Sequence, residues 1–235
     1  MEIKNILYIN LDNRPDRRLH VEKQLESVGM NGTRFSAIKM ENGRIGCSMS
    51  HLKCLQKAKE NNWDHVFICE DDITFTKPGL FKQQLNKFLT SENSAVSNWD
   101  VCIVGGNNLP PFKQIDDYCI RVSHCQTTTG YIVKGHYFDK LIENYREGIS
   151  RLIREPEKHV MFAIDKHWLH LQKQDRWFLI TPATVIQLED YSDIEKRVVN
   201  YNWHMLDLEK REFIERQKKM IEQQTKMQSI FKQKP

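Results

Sequence analysis

Residues 66–72 read Val-Phe-Ile-Cys-Glu-Asp-Asp, a strand of low polarity, Val66 to Cys69, that runs straight into three consecutive carboxylates. Adjacent acids repel one another, and a cation between them relieves the cost. In an extended backbone Glu70 and Asp72 point to one side and Asp71 to the other, so residues i and i+2 can share a task. Carboxylate oxygens suit Mg²⁺ or Mn²⁺, which also keep coordination places for phosphate oxygens of a substrate. In open α/β sheets, ligands sit beyond the carboxyl ends of the strands, which is where this run falls. Taken alone, the same three acids are equally well a solvated turn capping the next helix.

Working outward, short apolar runs alternate with amphipathic stretches, the pattern of an α/β layer fold with a largely parallel sheet. Ile6–Leu11 reads as a buried strand. Leu19, Val21, Leu25 and Val28 follow at near-helical spacing, with Pro15 in the first turn and Gly29 as the stop. Thr33–Ile38 is a second strand. Ser48 is the expected N-cap of a helix that turns Leu52, Leu55 and Ala58 to one face, and Gly46 is expected to permit the turn before it. After the acidic strand, Phe81, Leu85, Phe88 and Leu89 mark a third helix, and Val101–Val104 ends in Gly105 and Gly106. Farther on, residues 107–117 read as a loop, Cys119–Val122 and Tyr131–Val133 as strands, Tyr137–Arg146 as a helix, and Ala183–Leu188 as a short β-rich stretch after Pro182.

A chain of 235 residues can bury one sizeable core. The net charge of +4 is concentrated in residues 205–235, so the rest of the chain lacks the basic stripe of a nucleic-acid binder. There is no apolar run long enough to span a membrane, and the N-terminal stretch is too quickly followed by charge to be a signal core. Six cysteines without a CxxC pair read as reduced, mostly buried thiols. We therefore divide the chain into residues 1–204, a single catalytic unit, and residues 205–235, a helical extension. In the latter, Phe213, Met220 and Met227 recur every seven positions with Ile214 and Ile221 alongside. Such a helix packs back on the domain, pairs two copies into a homodimer, or meets anionic lipid through Lys210, Arg211, Lys218, Lys219 and Lys226. Gln217 and Gln224 interrupt the stripe and argue against a strong coiled coil.

Two further clusters carry chemistry. Arg14, Arg17 and Arg18 follow Asn10 and Asp12, and guanidinium forks match phosphate oxygens. In GCSMSHLKC, residues 46–54, Ser48, Ser50 and His51 gather at the expected helix N-terminus, where backbone NH groups favour an anion. Each cluster also has a plain structural reading, as surface charge or as a cap. Neither a GxSxG elbow nor a GxxxxGK[ST] loop is present.

The segments YINLDNRPDRR, IGCSMSHLKCLQKA and FICEDDITF, in this order and spacing, resemble glycosyltransferase family 25, the group of lipooligosaccharide galactosyltransferases and collagen galactosyltransferase domains. NWDVCIVGG, TTTGYIVKGHYFDKL, AIDKHW and PATVIQLEDYSDIEKR extend the resemblance across roughly residues 5 to 197. It implies a GT-A type, Rossmann-like fold with a central mixed, mostly parallel sheet flanked by helices. It also implies a UDP-sugar donor, a divalent cation (Mn²⁺, or Mg²⁺) and inversion at the anomeric carbon. Carried over residue by residue, Glu70, Asp71 and Asp72 hold the acidic metal motif. Asn10, Leu11, Arg14 and Arg17 meet the nucleotide, Ser50 and His51 sit near the diphosphate or ribose, and Gln187 completes the donor site. Asp165 in AIDKHW is the candidate general base.

The expected reaction is transfer of a hexose, galactose before glucose or N-acetylglucosamine, onto a hydroxyl of a glycan or glycoprotein. The alternatives are a module that binds nucleotide sugar or glycan without transfer, and a metal-dependent nucleotidyl or phosphoryl transferase. With no visible leader, the expected compartment is the cytoplasm, at a membrane surface, rather than a lumen.

Overall fold

The computed structural model describes residues 2–211, 214–215 and 218–222. The chain runs β1 (Ile6–Asn10), α1 (Pro15–Ser27), β2 (Thr33–Ser36), α2 (Gly43–Glu60), β3 (His65–Glu70), β4 (Ile73–Phe75), α3 (Pro78–Leu89) and β5 (Val101–Asn108). It continues through β6 (Lys113–Asp116), β7 (Cys119–Arg121), β8 (Cys125–Lys134), α4 (Phe138–Arg154), α5 (His159–Phe162), α6 (Ile164–His167) and α7 (Leu169–Gln174). The last elements are β9 (Trp177–Ile180), β10 (Val185–Gln187), β11 (Asp190–Ser192), β12 (Arg197–Val199) and α8 (Asn202–Leu206).

Eight strands form one sheet in the order β2-β1-β3-β8-β5-β9-β7-β6. β1 is parallel to β2 and β3, β5 is parallel to β9, and β8 is antiparallel to both β3 and β5. β7 is antiparallel to β9 and β6 to β7, so all strands but β8 and β7 point the same way. This is the expected mixed, mostly parallel α/β sheet. Its central strands are buried along their whole length, which only a sheet covered on both faces requires. Along β1, Leu7 and Ile9 pack with Val66, Ile68 and residues of α2 and α4, while Ile6 and Tyr8 pack with Phe67, Cys69 and residues of α1 and α3. The two-residue period of the strands thus divides the core into two layers.

The order of strands and helices through α3 matches expectation apart from the added strand β4, as do Pro15 in the first turn of α1 and Gly29 beyond its end, at φ +71°. The helix after β2 does not start at Ser48. α2 begins at Gly43, capped by the Asn42 side chain, and Ser48 lies inside it with its hydroxyl donating to the Arg44 carbonyl. Gly46 is therefore a helical residue, not a turn. It is glycine because a Cβ would stand 2.4 Å from the Ile38 carbonyl oxygen and 3.2 Å from the Met40 nitrogen. Both are backbone atoms that cannot swing aside. Gly46→Ala is expected to cost about 1–3 kcal/mol by overpacking, seen as a lower urea midpoint with an unchanged slope.

Residues 107–117, expected as a loop, hold the end of β5 and all of β6, and α4 runs two turns past Arg146. Periodicity read over a few residues could not show that pairing with β7 orders this edge. All six cysteines are free, and all but Cys47 are buried. No helix among the described residues is long and apolar enough to cross a membrane. α8 runs through residue 204, and Met205 and Lys210 beyond it are buried. Of the expected helical extension, residues 207–210 are not helical, whereas the described residues 211, 214–215 and 218–222 are, with Ile214, Met220 and Ile221 exposed. Phe213, Gln217, Gln224 and Met227 lie outside the described residues.

Candidate active site

β3 ends at Glu70 and the chain turns through Asp71 and Asp72 before β4, so strand alternation does not extend over the three acids. Instead of Glu70 and Asp72 sharing one side, the carboxylates fan out. Glu70 Oε1 accepts from Thr128 Oγ1 and lies 3.3 Å from His51 Nε2. Asp71 is nearly buried, accepting from Asn10 Nδ2 at 2.7 Å and from Arg17 Nη1 at 3.3 Å, so both its oxygens are taken. Asp72 Oδ2 accepts from Gln187 Nε2 at 3.4 Å and lies 3.7 Å from Arg17 Nη1, while its Oδ1 is buried without a hydrogen-bond partner.

Burial, then the charges of Glu70 and Asp71, push the Asp72 carboxyl well above the usual carboxylate range, against the pull of Arg17. Burial also raises Asp71, with Asn10 and Arg17 opposing. For Glu70 burial works upward too, but the hydrogen bonds and charge supplied by His51 and Thr128 outweigh it, and its carboxyl is lowered. Of these two neighbours, Asp72 therefore has the carboxyl with the greater affinity for a proton.

These groups open on a cavity of ≈ 550 Å³ whose walls include Leu11, Arg14, Arg17, Ser50, His51, Glu70, Asp72, Asp165 and Gln187. The structure thus brings together nearly all the residues singled out in the sequence, though several in other roles. Asn10 does not line the cavity. It is buried, with Nδ2 on Asp71 and on the Arg14 carbonyl and Oδ1 accepting from Arg34, and so it holds the acidic turn in place. Ser50 and His51 are not at a helix N-terminus but in the third turn of α2. The Ser50 hydroxyl donates to the Gly46 carbonyl and accepts from the Ile38 amide, which joins α2 to the cavity wall at residues 37–40. Asp165 accepts from the Thr127 amide at 3.1 Å, holding a non-glycine residue at φ +71° in the wall.

Arg14 and Arg17, expected to meet phosphate, are engaged by the chain's own carboxylates. Arg14 reaches Asp16, Asp190 at 2.5 Å and Asp193 at 3.0 Å, and Arg17 reaches Asp190 at 3.1 Å as well as the acidic turn. Asp190 and Asp193 belong to the β11–β12 hairpin, which Arg44 also holds through Glu195 at 2.6 Å. This hairpin strap forms one wall of the cavity through Ser192, Ile194 and Val199. Sequence reasoning missed Arg44, Thr128, Cys47 and the strap acids as site residues. For Cys47, Thr128 and the strap acids the only signal was their place within stretches already quoted, GCSMSH, TTTGY and LEDYSDIEK, while Arg44 lies just outside the first of these.

The same chain matches the model of glycosyltransferase family 25 (LPS biosynthesis protein) over residues 39–161, more than half its length. It belongs to glycosyltransferase family 25. Among its curated relatives, a glycosyltransferase 25 family member of Anopheles gambiae is 22% identical over 71% of this chain and 31% of the relative. One of Aedes aegypti is 24% identical over 61% of this chain and 28% of the relative. The chain spans about 30% of the length of these relatives. Among solved structures, a glycosyltransferase involved in glycosylation of the major capsid of PBCV-1 overlaps 83% of this chain and 97% of that chain, at 11% identity and a TM-score of 0.48.

Proposed function

We propose that this chain is a hexosyltransferase that moves a sugar, galactose first among the choices, from a UDP-sugar to a hydroxyl of a glycan or glycoprotein. The observation that carries this reading is the single cavity that collects a strand-end carboxylate cluster, two arginines and a separate aspartate. Family membership supports it. Of the alternatives, a binding module has no use for a buried, unpartnered Asp72 oxygen, and a nucleotidyl transferase would show release of pyrophosphate.

The residues fit a divalent cation. A buried carboxylate oxygen without a partner, among acids whose repulsion raises its affinity for protons, offers a ready oxygen ligand. Asp72 would hold the ion, with Glu70 as its helper, since Asp71 is committed to Arg17 and Asn10. A bound Mn²⁺ or Mg²⁺ supplies Lewis-acid stabilisation of the departing diphosphate. Arg14 and Arg17 present the guanidinium forks that would exchange the strap's carboxylates for phosphate oxygens. Asp165 is placed in the wall with Oδ2 fixed by the Thr127 amide, leaving its other oxygen for the acceptor. In the step we propose, the acceptor hydroxyl loses its proton to Asp165 as its oxygen bonds to the anomeric carbon. The bond from that carbon to the diphosphate breaks with its electron pair on UDP, and the configuration inverts.

Residues 1–204 would carry this chemistry, with residues 205–235 as an extension that docks on the domain, joins two copies, or rests on anionic lipid. We place the chain in the cytoplasm at a membrane surface, where a lipid-linked or glycan acceptor is accessible.

The test is a donor binding and hydrolysis screen with UDP-galactose, UDP-glucose, UDP-N-acetylglucosamine, and GDP and CMP sugars, each with Mn²⁺ and with chelator. One UDP-sugar is expected to bind and turn over only with metal. Asp165→Asn is expected to leave binding in place while lowering transfer by about 10²–10⁴-fold, the usual range for a general base. Binding without product in the wild type would favour the binding module, and pyrophosphate release the nucleotidyl transferase.

A further inference from the structure

Beside the acidic turn lies a second constellation of a different chemical character. Cys47 and His51 stand one turn apart on α2, and β3 brings Glu70 against both. His51 Nε2 is 3.3 Å and Cys47 Sγ 3.9 Å from Glu70 Oε1, and the ligand atoms of the three residues all lie within 4.8 Å of one another. A tetrahedral ion bound at about 2.3 Å to sulfur and about 2.0–2.2 Å to nitrogen and oxygen needs its donors roughly 3.3–3.6 Å apart. The three atoms stand somewhat wider than ligating positions, so the side chains must close on the ion.

We infer that Cys47, His51 and Glu70 form a zinc-binding site beside the oxygen-ligand site at Asp72, with which it shares Glu70. The sulfur and imidazole donors decide the metal: Mg²⁺ and Mn²⁺ prefer carboxylate, carbonyl and water, whereas a thiolate with an imidazole selects zinc. The surroundings are those of a supported metal ligand set. His51 is fully buried, stacks on the Tyr131 ring, and has Nδ1 at 2.8 Å from Tyr131 Oη, to which Tyr145 Oη donates at 3.0 Å. With Nδ1–H donating to Tyr131, the Nε2 lone pair faces the ion, the arrangement that orients most histidine ligands. Thr128 holds Glu70 in the same way. All three ligands line the cavity, so the fourth position faces it and is open to water or a substrate oxygen. Binding displaces the Cys47 thiol proton to solvent.

Because Glu70 belongs to both ligand sets, zinc withdraws it from the acidic turn. Inhibition of sugar transfer by zinc rests on the function proposed above, but zinc binding itself does not.

The experiment uses the full chain, reduced and freed of metal, titrated with Co²⁺ as a spectroscopic stand-in for zinc. Roughly one equivalent is expected to give tetrahedral d–d bands and a near-ultraviolet thiolate-to-cobalt charge-transfer band, both abolished by Zn²⁺. Cys47→Ser is expected to lose the charge-transfer band, Asp72→Asn to keep it, and Tyr131→Phe to weaken Zn²⁺ affinity by about 10-fold in competition with a chromophoric chelator. Absence of the charge-transfer band in the wild type, or its persistence in Cys47→Ser, overturns the site. Either result is independent of whether any donor turns over, so it is distinguishable from failure of the transferase reading.

Discussion

Asp72→Asn is expected to lower metal-dependent transfer by about two to three orders of magnitude while making the metal-free protein more stable. The first effect follows from neutralising the carboxylate whose buried Oδ1 is left without a partner, since Lewis-acid stabilisation of a leaving group contributes several kcal/mol. The second follows from the same oxygen. A buried charge beside Glu70 and Asp71 is unfavourable, and a neutral amide of the same shape removes it, worth about 1 kcal/mol. The sign of the pH dependence is fixed by linkage. The folded-state pKa of Asp72 lies above the unfolded one, so between the two values the folded state binds more protons and stability falls as pH rises. The advantage of the variant is therefore absent below the ordinary carboxylate range and grows above it. Urea unfolding with chelator across that range, beside transfer rates with Mn²⁺, checks both halves. A variant that retains metal-dependent turnover would remove Asp72 from the ligand set.

Arg17→Met is expected to be the most damaging single change in the site for stability, costing about 3–5 kcal/mol, the usual result of stripping one partner from a buried ion pair. Its guanidinium, 11% exposed, lies 3.3 Å from Asp71 and 3.7 Å from Asp72, and it also ties down Asp190 and the Tyr191 carbonyl of the strap. Removing it leaves two buried carboxylates without their shared counter-charge and frees one end of the hairpin. Adding Asp71→Asn is expected to recover part of the loss, with a coupling above about 1 kcal/mol in a double-mutant cycle. If the two changes add independently, Arg17 is not the counter-charge of the acidic turn. The same residue would have to exchange Asp190 for phosphate during binding, so the geometry places stability and donor recognition on one side chain.

What the sequence by itself determined was the succession of strands and helices through β5, β4 excepted, the burial of the core strands, and the place where chemistry collects. Those features depend on local patterns: Leu7 and Ile9 against Ile6 and Tyr8, Pro15 and Gly29 at the ends of α1, three acids at the end of β3. What only the tertiary structure decided was the partner of each charged group. No local rule says that Asn10 serves Asp71 and not a nucleotide, that Ser50 is spent on Ile38, or that Arg14 meets Asp190 across 176 residues. The start of α2 was hidden for the same reason, because Gly46 answers to the Ile38 carbonyl brought close by the fold. Hydrogen bonds and ion pairs act over a few ångströms in space, and separation along the chain places no limit on which groups meet. Sequence periodicity therefore reports the layers of this protein, while the closure of its cavity depends on contacts made only when those layers pack.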